Sequence, residues 1–184
     1  VDKDVLIIAC LLHDIGREMQ YKNPSICHAQ VGAEIAYAFC VKNGLDVKKS
    51  LHIKECISSH RYRGDNQPQS MEAKILFDAD KLDVTGTIGI ARTLLYKGNV
   101  GEPLYNIDES GNVFDGTQDT NPSFLQEYNC KLKNLYSNFN TKRAQEIAVQ
   151  RERIAVSFYE NMMLELSSTY DKGHLLVDNI ILGG

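Results

Sequence analysis

The chain has 184 residues, of which 43% are hydrophobic, and a formal net charge of −4. This length and apolar content are sufficient for a sizeable core and exclude an intrinsically disordered tail. The negative net charge provides no general basic field, so we do not expect a protein that coats a nucleic-acid polymer.

The cysteine pattern favours free thiols over a zinc ribbon or a disulfide framework. The cysteines are five in number and widely spaced, and no CxxC pair is present. Reduced thiols are typical of the cytoplasm, which is the location we expect. The sequence contains no signal peptide and no apolar stretch long enough to cross a bilayer, so no membrane partner is predicted.

Helical patterns fill the first part of the chain. Residues 4–16, DVLIIACLLHDIG, are mostly apolar, as in a helix buried on most sides, although the β-branched residues also suit a strand. Residues 25–44 predict a helix with Ser25 as its N-cap and Gly44 as its stop. Residues 46–60 predict another, capped by Asp46.

The remaining chain continues the all-α pattern after a polar turn at 61–70. Residues 70–86 predict a helix in which Asp80 lies on the same side as the core-facing Leu76 and Phe77. A helical pattern follows at 87–96, and residues 98–122 predict a long loop rich in Gly, Asp, Asn and Pro. Further helices are predicted at about 123–139 and 141–168.

Histidines and aspartates suggest a metal site. The chain has five histidines, and several aspartates lie in its first half. A mixed set of imidazole and carboxylate ligands suits Mn, Fe, Zn or Mg better than metals that prefer thiolates. Helices that meet at one point can bring such ligands together from distant parts of a sequence.

Four segments in combination resemble the HD-domain metal-dependent phosphohydrolases. They are LLHDIGRE, HAQVGAEIA, ISSHRYRG and AKILFDADKLDVTGTIGIARTLLYKG, and the resemblance spans about residues 4–105. It is greatest to a bacterial predicted-hydrolase branch that includes nucleotide pyrophosphohydrolases. The resemblance implies an all-α HD-domain helical bundle, a single domain over residues 1–184, and hydrolysis of a phosphate ester or anhydride bond of a nucleotide by metal-activated water.

The same resemblance assigns metal ligands through the family motif H…HD…D. His13 and Asp14 match the HD pair, and Asp80, in ADKL, matches the last aspartate. His28 and His60 match the further histidines of branches that hold two metals, so one or two ions of Mn, Fe, Zn, Ni or Mg are expected. No histidine precedes His13. We expect the helix that carries the family's first histidine to be missing from this sequence; the alternative is a defective site.

Phosphate chemistry points to cationic side chains near the motifs. The predicted substrate-binding residues are Arg17, Arg61, Arg63, Lys81 and Arg92. The predicted catalytic residues are Asp14, Glu18 and Lys81. Related hydrolases carry an acidic residue near Glu18, in several cases one position earlier, where this chain has Arg17. Glu18 therefore either orients the attacking water or pairs with a surface lysine.

Two alternatives to an enzyme remain open at this stage. The first is a catalytically inactive HD-fold domain that senses a nucleotide or binds a partner. The second is a helical scaffold whose histidines only pack, which leaves Asp14 and Asp80 unexplained. In every case His52 and His174 are predicted to be ordinary surface or core residues. The sequence also leaves a homodimer open.

Overall fold

The protein is built almost entirely from helices. The computed structural model describes residues 1–61, 66–108 and 111–182. Within these ranges no sheet forms, and the one β-type contact is an isolated bridge between Ile107 and Val113. The predicted all-α class is confirmed. The helices are α1 Lys3–Leu12, α2 Arg17–Lys22, α3 His28–Lys42, α4 Val47–Ser59, α5 Met71–Leu82, α6 Gly86–Asn99, α7 Phe124–Glu127, a π-helical turn Tyr128–Leu132, α8 Lys133–Leu135 and α9 Lys142–Leu182.

The chain divides into two compact units, and the first, Val1–Lys81, contains α1 to α4 and nearly all of α5. In this unit α4 packs against both α1 and α3. Ala9, Ala36, Ile53 and Ile57 are fully buried at the centre of its core. Alanines on α1 and α3 allow α4 to approach closely, and each buried isoleucine stabilises the unit by roughly 1.5–3 kcal/mol relative to an exposed one.

Aspartate side chains fix the starts of two helices in this unit. The Asp2 carboxylate accepts hydrogen bonds from the backbone N–H groups of Asp4 and Val5, at the start of α1. The Asp46 carboxylate accepts from Lys48 N at 3.0 Å and from Lys49 N at 3.1 Å, at the start of α4. The predicted cap at Asp46 is therefore confirmed.

The predicted N-cap of α3 at Ser25 is wrong. The helix begins at His28, and Cys27 is its N-cap without a capping side chain. The Ser25 hydroxyl instead donates a hydrogen bond to Asn23 Oδ1 at 2.7 Å, and Ser25 N donates to the same oxygen at 3.1 Å. This local turn uses the hydroxyl before the helix starts, which is a common competition for serine.

The second unit, Leu82–Gly184, is organised around α9. Ala144, Ala148 and Ala155, in the first half of α9, are buried, and α6 and α8 pack against α9. The buried Lys97 ammonium pairs with the carboxylates of Glu102 and Glu127. A buried cation needs such partners because desolvation alone costs several kcal/mol.

The segment between α6 and α7 is tied to its own unit by backbone hydrogen bonds. Phe124 N donates to Pro103 O at 3.0 Å, and Leu125 N donates to Leu104 O at 3.1 Å. At the far end of the chain, α9 continues to Leu182. None of the helices in the described ranges combines the length and apolar character needed to cross a membrane.

The burial of Cys56 predicts low thiol reactivity. Burial raises the pKa of Cys56 to about 11, and this residue is fully enclosed in the first core. Because the thiolate is the nucleophile, we expect iodoacetamide at about pH 8 to alkylate native Cys56 at least about 100-fold more slowly than the exposed Cys130. Peptide mass spectrometry measures both rates. In denaturant the two rates should become similar, and equal rates in the native protein would contradict this packing.

Candidate metal centre

The HD dipeptide lies in a tight turn between α1 and α2. His13 is the C-cap of α1, and Arg17 N donates to Asp14 O at 2.9 Å to close the turn. Gly16 is buried within it, and a Cβ atom at this position would lie 2.3 Å from His28 O. Only glycine allows the turn to pack this closely on the start of α3. Asp14 is thereby held beside His28.

Three side chains bring potential ligand atoms together at this point. Asp14 comes from the turn, His28 is the first residue of α3, and His60 is the C-cap of α4. Asp14 Oδ1 lies 3.4 Å from His28 Nε2 and 3.8 Å from His60 Nε2. One ligand atom from each of the three lies within 4.8 Å of the other two. Both imidazole rings are almost completely buried.

The histidines at this site share one pattern of outer contacts. In each, Nδ1 contacts a carbonyl oxygen, and the pairs are His13 with Cys10 O at 2.7 Å, His28 with Gln20 Oε1 at 2.7 Å, and His60 with Ile57 O at 2.6 Å. A carbonyl oxygen only accepts hydrogen bonds, so we assign the proton of each neutral ring to Nδ1. This tautomer leaves a lone pair on Nε2, as in histidines that bind metals.

The electrostatics of this arrangement fit a divalent cation. His28 Nε2 and His60 Nε2 are only 3.3 Å apart, so with both protons on Nδ1 the two lone pairs repel each other. Burial, followed by the positive charge of Arg17, lowers the pKa of His28 to about 4, and burial also lowers the pKa of His60. Two neutral imidazoles beside a carboxylate are a donor set that suits Zn, Mn or Fe, and a cation would replace the repulsion by attraction.

His13 and Asp80 border this group of three. The His13 ring lies edge-on to His60 with centroids 5.2 Å apart, and His13 Nε2 is 3.6 Å from Asp14 Oδ2. The Asp80 side chain is 22% exposed, and its Oδ2 accepts from Lys81 Nζ at 2.5 Å. Burial alone would raise the pKa of Asp80, but the positive charge and hydrogen bond of Lys81, with His60 and His13, lower it below the usual range.

Three of the predicted substrate-binding cations contact the group of three. Arg17 Nε donates to Asp14 Oδ1 at 2.8 Å. Arg61 Nη1 lies 3.3 Å from His28 Nδ1, and Lys81 Nζ donates to His60 O at 3.3 Å. These positive charges surround the carboxylate and the imidazoles, so an anionic ligand at the site would meet them.

The remaining predicted site residues lie elsewhere or outside the described ranges. Glu18 pairs with Lys22 at 2.5 Å, and both side chains are largely exposed to solvent. Arg92 belongs to the second unit, where it pairs with Asp83. Arg63 lies outside the described residues. Of the two alternatives for Glu18, orienting the attacking water or pairing with a surface lysine, the observed contact is the pair with a lysine.

Gln20 is a contact of the site that sequence analysis missed. It lies on α2, three residues after Arg17, and both side chains reach the group of three. Residues at this spacing share one face of a helix. The sequence therefore indicates that Gln20 and Arg17 share a helix face, but it does not indicate which residue lies opposite Gln20.

Comparison with known proteins supports the resemblance from the motifs. Residues 1–85 match the family model of the HD domain. An HD-superfamily hydrolase from Bacillus thuringiensis is 28% identical, with a TM-score of 0.61 over 88% of this chain and 72% of that chain. A predicted HD superfamily hydrolase from an uncultured Thermotogales bacterium is 28% identical, with a TM-score of 0.57 over 89% of this chain and 68% of that chain.

A relative from Bacillus subtilis is the uncharacterized protein YpgQ. It is 31% identical over 106 residues, which are 56% of this chain and 45% of YpgQ, so the match spans less than half of that protein. The structure of YpgQ in complex with ADP has a TM-score of 0.57, covers 88% of this chain and 87% of that chain, and is 19% identical. At that identity the structural match demonstrates a shared fold.

The matched residues 1–85 include the HD turn and every member of the group of three. The helical fold and the motif residues therefore agree with the comparisons. Residues 1–85 match the HD domain, and the chain is similar to HD-superfamily hydrolases.

Proposed function

We propose that this protein is a metal-dependent phosphohydrolase that cleaves a phosphate ester or anhydride bond of a nucleotide. The observation that carries the proposal is the convergence of Asp14, His28 and His60, whose ligand atoms lie within 4.8 Å of one another. With the protons of His28 and His60 on Nδ1, no hydrogen bond joins the two Nε2 atoms, so a hydrogen bond does not explain their short contact. A bound cation would explain the contact and would use the lone pairs that these tautomers leave on Nε2.

The proposed ligand set is larger than the group of three. His13 and Asp80 border the group, and we propose that they complete it around one or two divalent ions. Such ions are Mn, Fe, Zn, Ni or Mg, since imidazole and carboxylate ligands serve all of them. When bound, the metal supplies a water of lowered pKa and neutralises charge on a phosphate oxygen.

The side chains around the ligands would bind and stabilise the phosphate. Arg17 contacts Asp14, and Arg61 contacts His28, so both guanidinium groups are placed next to the ligands. Lys81 is held by Asp80 and by His60 O. Charge gathers on the equatorial oxygens in phosphoryl transfer, and nearby cations lower that barrier. We propose these roles for Arg17, Arg61 and Lys81.

The proposed role of Glu18 requires a rearrangement. Its carboxylate is 77% exposed and is engaged by Lys22. To orient an attacking water, this side chain would have to leave the ion pair, which costs little because exposed pairs contribute about 0–1 kcal/mol. The roles of Glu18 as a catalytic residue, and of Arg63 and Arg92 in substrate binding, remain predictions from the sequence.

The nucleotide substrate class rests on similarity. The motifs resemble a branch with nucleotide pyrophosphohydrolases, and YpgQ has been crystallised with ADP. We propose a nucleotide, bound through its phosphates, as the small-molecule partner. The five cysteines without a CxxC pair support a cytoplasmic location.

A second candidate function is a catalytically inactive domain that senses a nucleotide. The observation in its favour is that the Glu18 carboxylate, the predicted water-orienting group, is 77% exposed and pairs with Lys22 instead of facing the ligands. Such a domain would keep the cations and bind the nucleotide without hydrolysing it.

Replacement of His60 by glutamine should weaken metal binding. We expect the affinity for Mn²⁺, measured by isothermal titration calorimetry, to fall by at least about 100-fold, since loss of outer partners alone costs roughly 10–100-fold. His52→Gln is the matched control, because His52 lies on the same helix and its Nε2 faces Glu72 at 3.5 Å. Equal affinities for wild type and His60→Gln would contradict a metal centre at this point.

Replacement of Asp14 by asparagine should abolish most of the hydrolysis. With Mn²⁺ and a panel of nucleotides that includes ADP and ATP, we expect release of phosphate or pyrophosphate to fall about 100-fold or more. Asp46→Asn is the matched control, because asparagine is an equally good N-cap for α4. Wild-type protein that binds ADP but hydrolyses no nucleotide would contradict the enzyme and support the sensing domain.

A further inference from the structure

Helix α2 presents two side chains to the group of three and the rest to solvent. Arg17 Nε donates to Asp14 Oδ1, and Gln20 Oε1 contacts His28 Nδ1 at 2.7 Å. On the other side Tyr21 is 89% exposed. The short helix therefore holds two members of the group by direct side-chain contacts.

We propose that Gln20 is a positioning residue that selects the tautomer of His28 and so directs its Nε2 lone pair at the metal. This inference rests on the proposed metal centre. The Gln20 carbonyl oxygen accepts a proton from Nδ1, which leaves Nε2 unprotonated.

His28 needs a side-chain partner because of its place in the helix. The Nδ1 atoms of His13 and His60 contact backbone carbonyls three residues earlier, Cys10 O and Ile57 O, within the helices that they end. His28 is the first residue of α3, so no preceding turn of its own helix offers a carbonyl. The amide of Gln20 supplies the oxygen that the backbone supplies to the other two.

Without Gln20 the competing tautomer of His28 would be favoured. A proton on His28 Nε2 would point at Asp14 Oδ1, 3.4 Å away, and at His60 Nε2, 3.3 Å away, both of which can accept it. Arg61 Nη1, 3.3 Å from His28 Nδ1, can only donate, so it also favours an unprotonated Nδ1. The shorter contact to Gln20 opposes these three interactions.

The tautomer can be measured directly in metal-free protein. Long-range proton–nitrogen NMR spectra distinguish a protonated Nδ1 from a protonated Nε2. We expect His28 to be protonated on Nδ1 in wild type and in Gln20→Glu, which keeps an acceptor oxygen, and mainly on Nε2 in Gln20→Met, which has a similar shape but no acceptor. An Nδ1-protonated His28 in Gln20→Met would overturn the proposal.

The same variants should differ in their affinity for Mn²⁺. We expect Gln20→Met to bind Mn²⁺ roughly 10–100-fold more weakly than wild type by calorimetry, and Gln20→Glu to restore binding. Gln30→Met, at an exposed position on α3, is the matched control and should bind like wild type. Thermal unfolding checks that each variant folds.

These readouts separate failure of this inference from failure of the proposed function. If Gln20→Met changes neither the tautomer nor the affinity while His60→Gln abolishes binding, the metal centre stands and the role of Gln20 is overturned. If wild type binds no Mn²⁺, the metal centre fails, whereas the tautomer of His28 in metal-free protein still decides whether Gln20 selects it.

Discussion

The contact between two buried, neutral imidazoles is the interaction on which the candidate metal centre depends. His28 Nε2 and His60 Nε2 lie 3.3 Å apart, with Asp14 Oδ1 close to both. A hydrocarbon core would separate such groups, because buried polar atoms without suitable partners are costly. A shared cation would turn this unfavourable contact into a favourable one. The ends of α1 and α4 and the start of α3 converge on it.

Close backbone packing is what makes this convergence possible. Gly16 lies against His28 O and the N-terminal turn of α3. Gly32, on α3, lies close to Gly16 in turn, because a Cβ atom added to Gly32 would be 3.2 Å from Gly16 N. The face of α3 that continues from this contact carries alanines such as Ala33 and Ala36, both buried. Small residues here determine how near the HD turn lies to α3, so they determine the position of Asp14. The small residues that pack the HD turn against α3 therefore also position a proposed metal ligand.

Much of the fold could be predicted from the sequence, but the contacts of the site could be predicted only in part. Helical periodicity and the Asp46 cap are local signals, and the structure confirms both. The start of α3 was missed because Ser25 bonds to Asn23 within a preceding turn, a competition that residue preferences do not resolve. The resemblance to branches that hold two metals singled out His28 and His60 for the site, and the structure brings them together with Asp14.

The roles of individual polar side chains depend on partners that are distant in sequence or on the direction of a short helix. Gln20 was missed because nothing in α2 alone indicates that His28 lies opposite it. Glu18, two residues earlier, was a candidate from the motif, but the direction of α2 places its carboxylate beside Lys22. Which side chains of α2 face the site depends on the rotation of the helix about its axis. The sequence of a six-residue helix does not define that rotation.

The most direct test of the account is an anomalous-difference map from crystals of the protein soaked in Mn²⁺. We expect a manganese peak among the Asp14 carboxylate and the Nε2 atoms of His28 and His60, at roughly 2.0–2.3 Å from its ligands. A peak at any other place in the chain, with His28 and His60 still in contact and no metal between them, would contradict it.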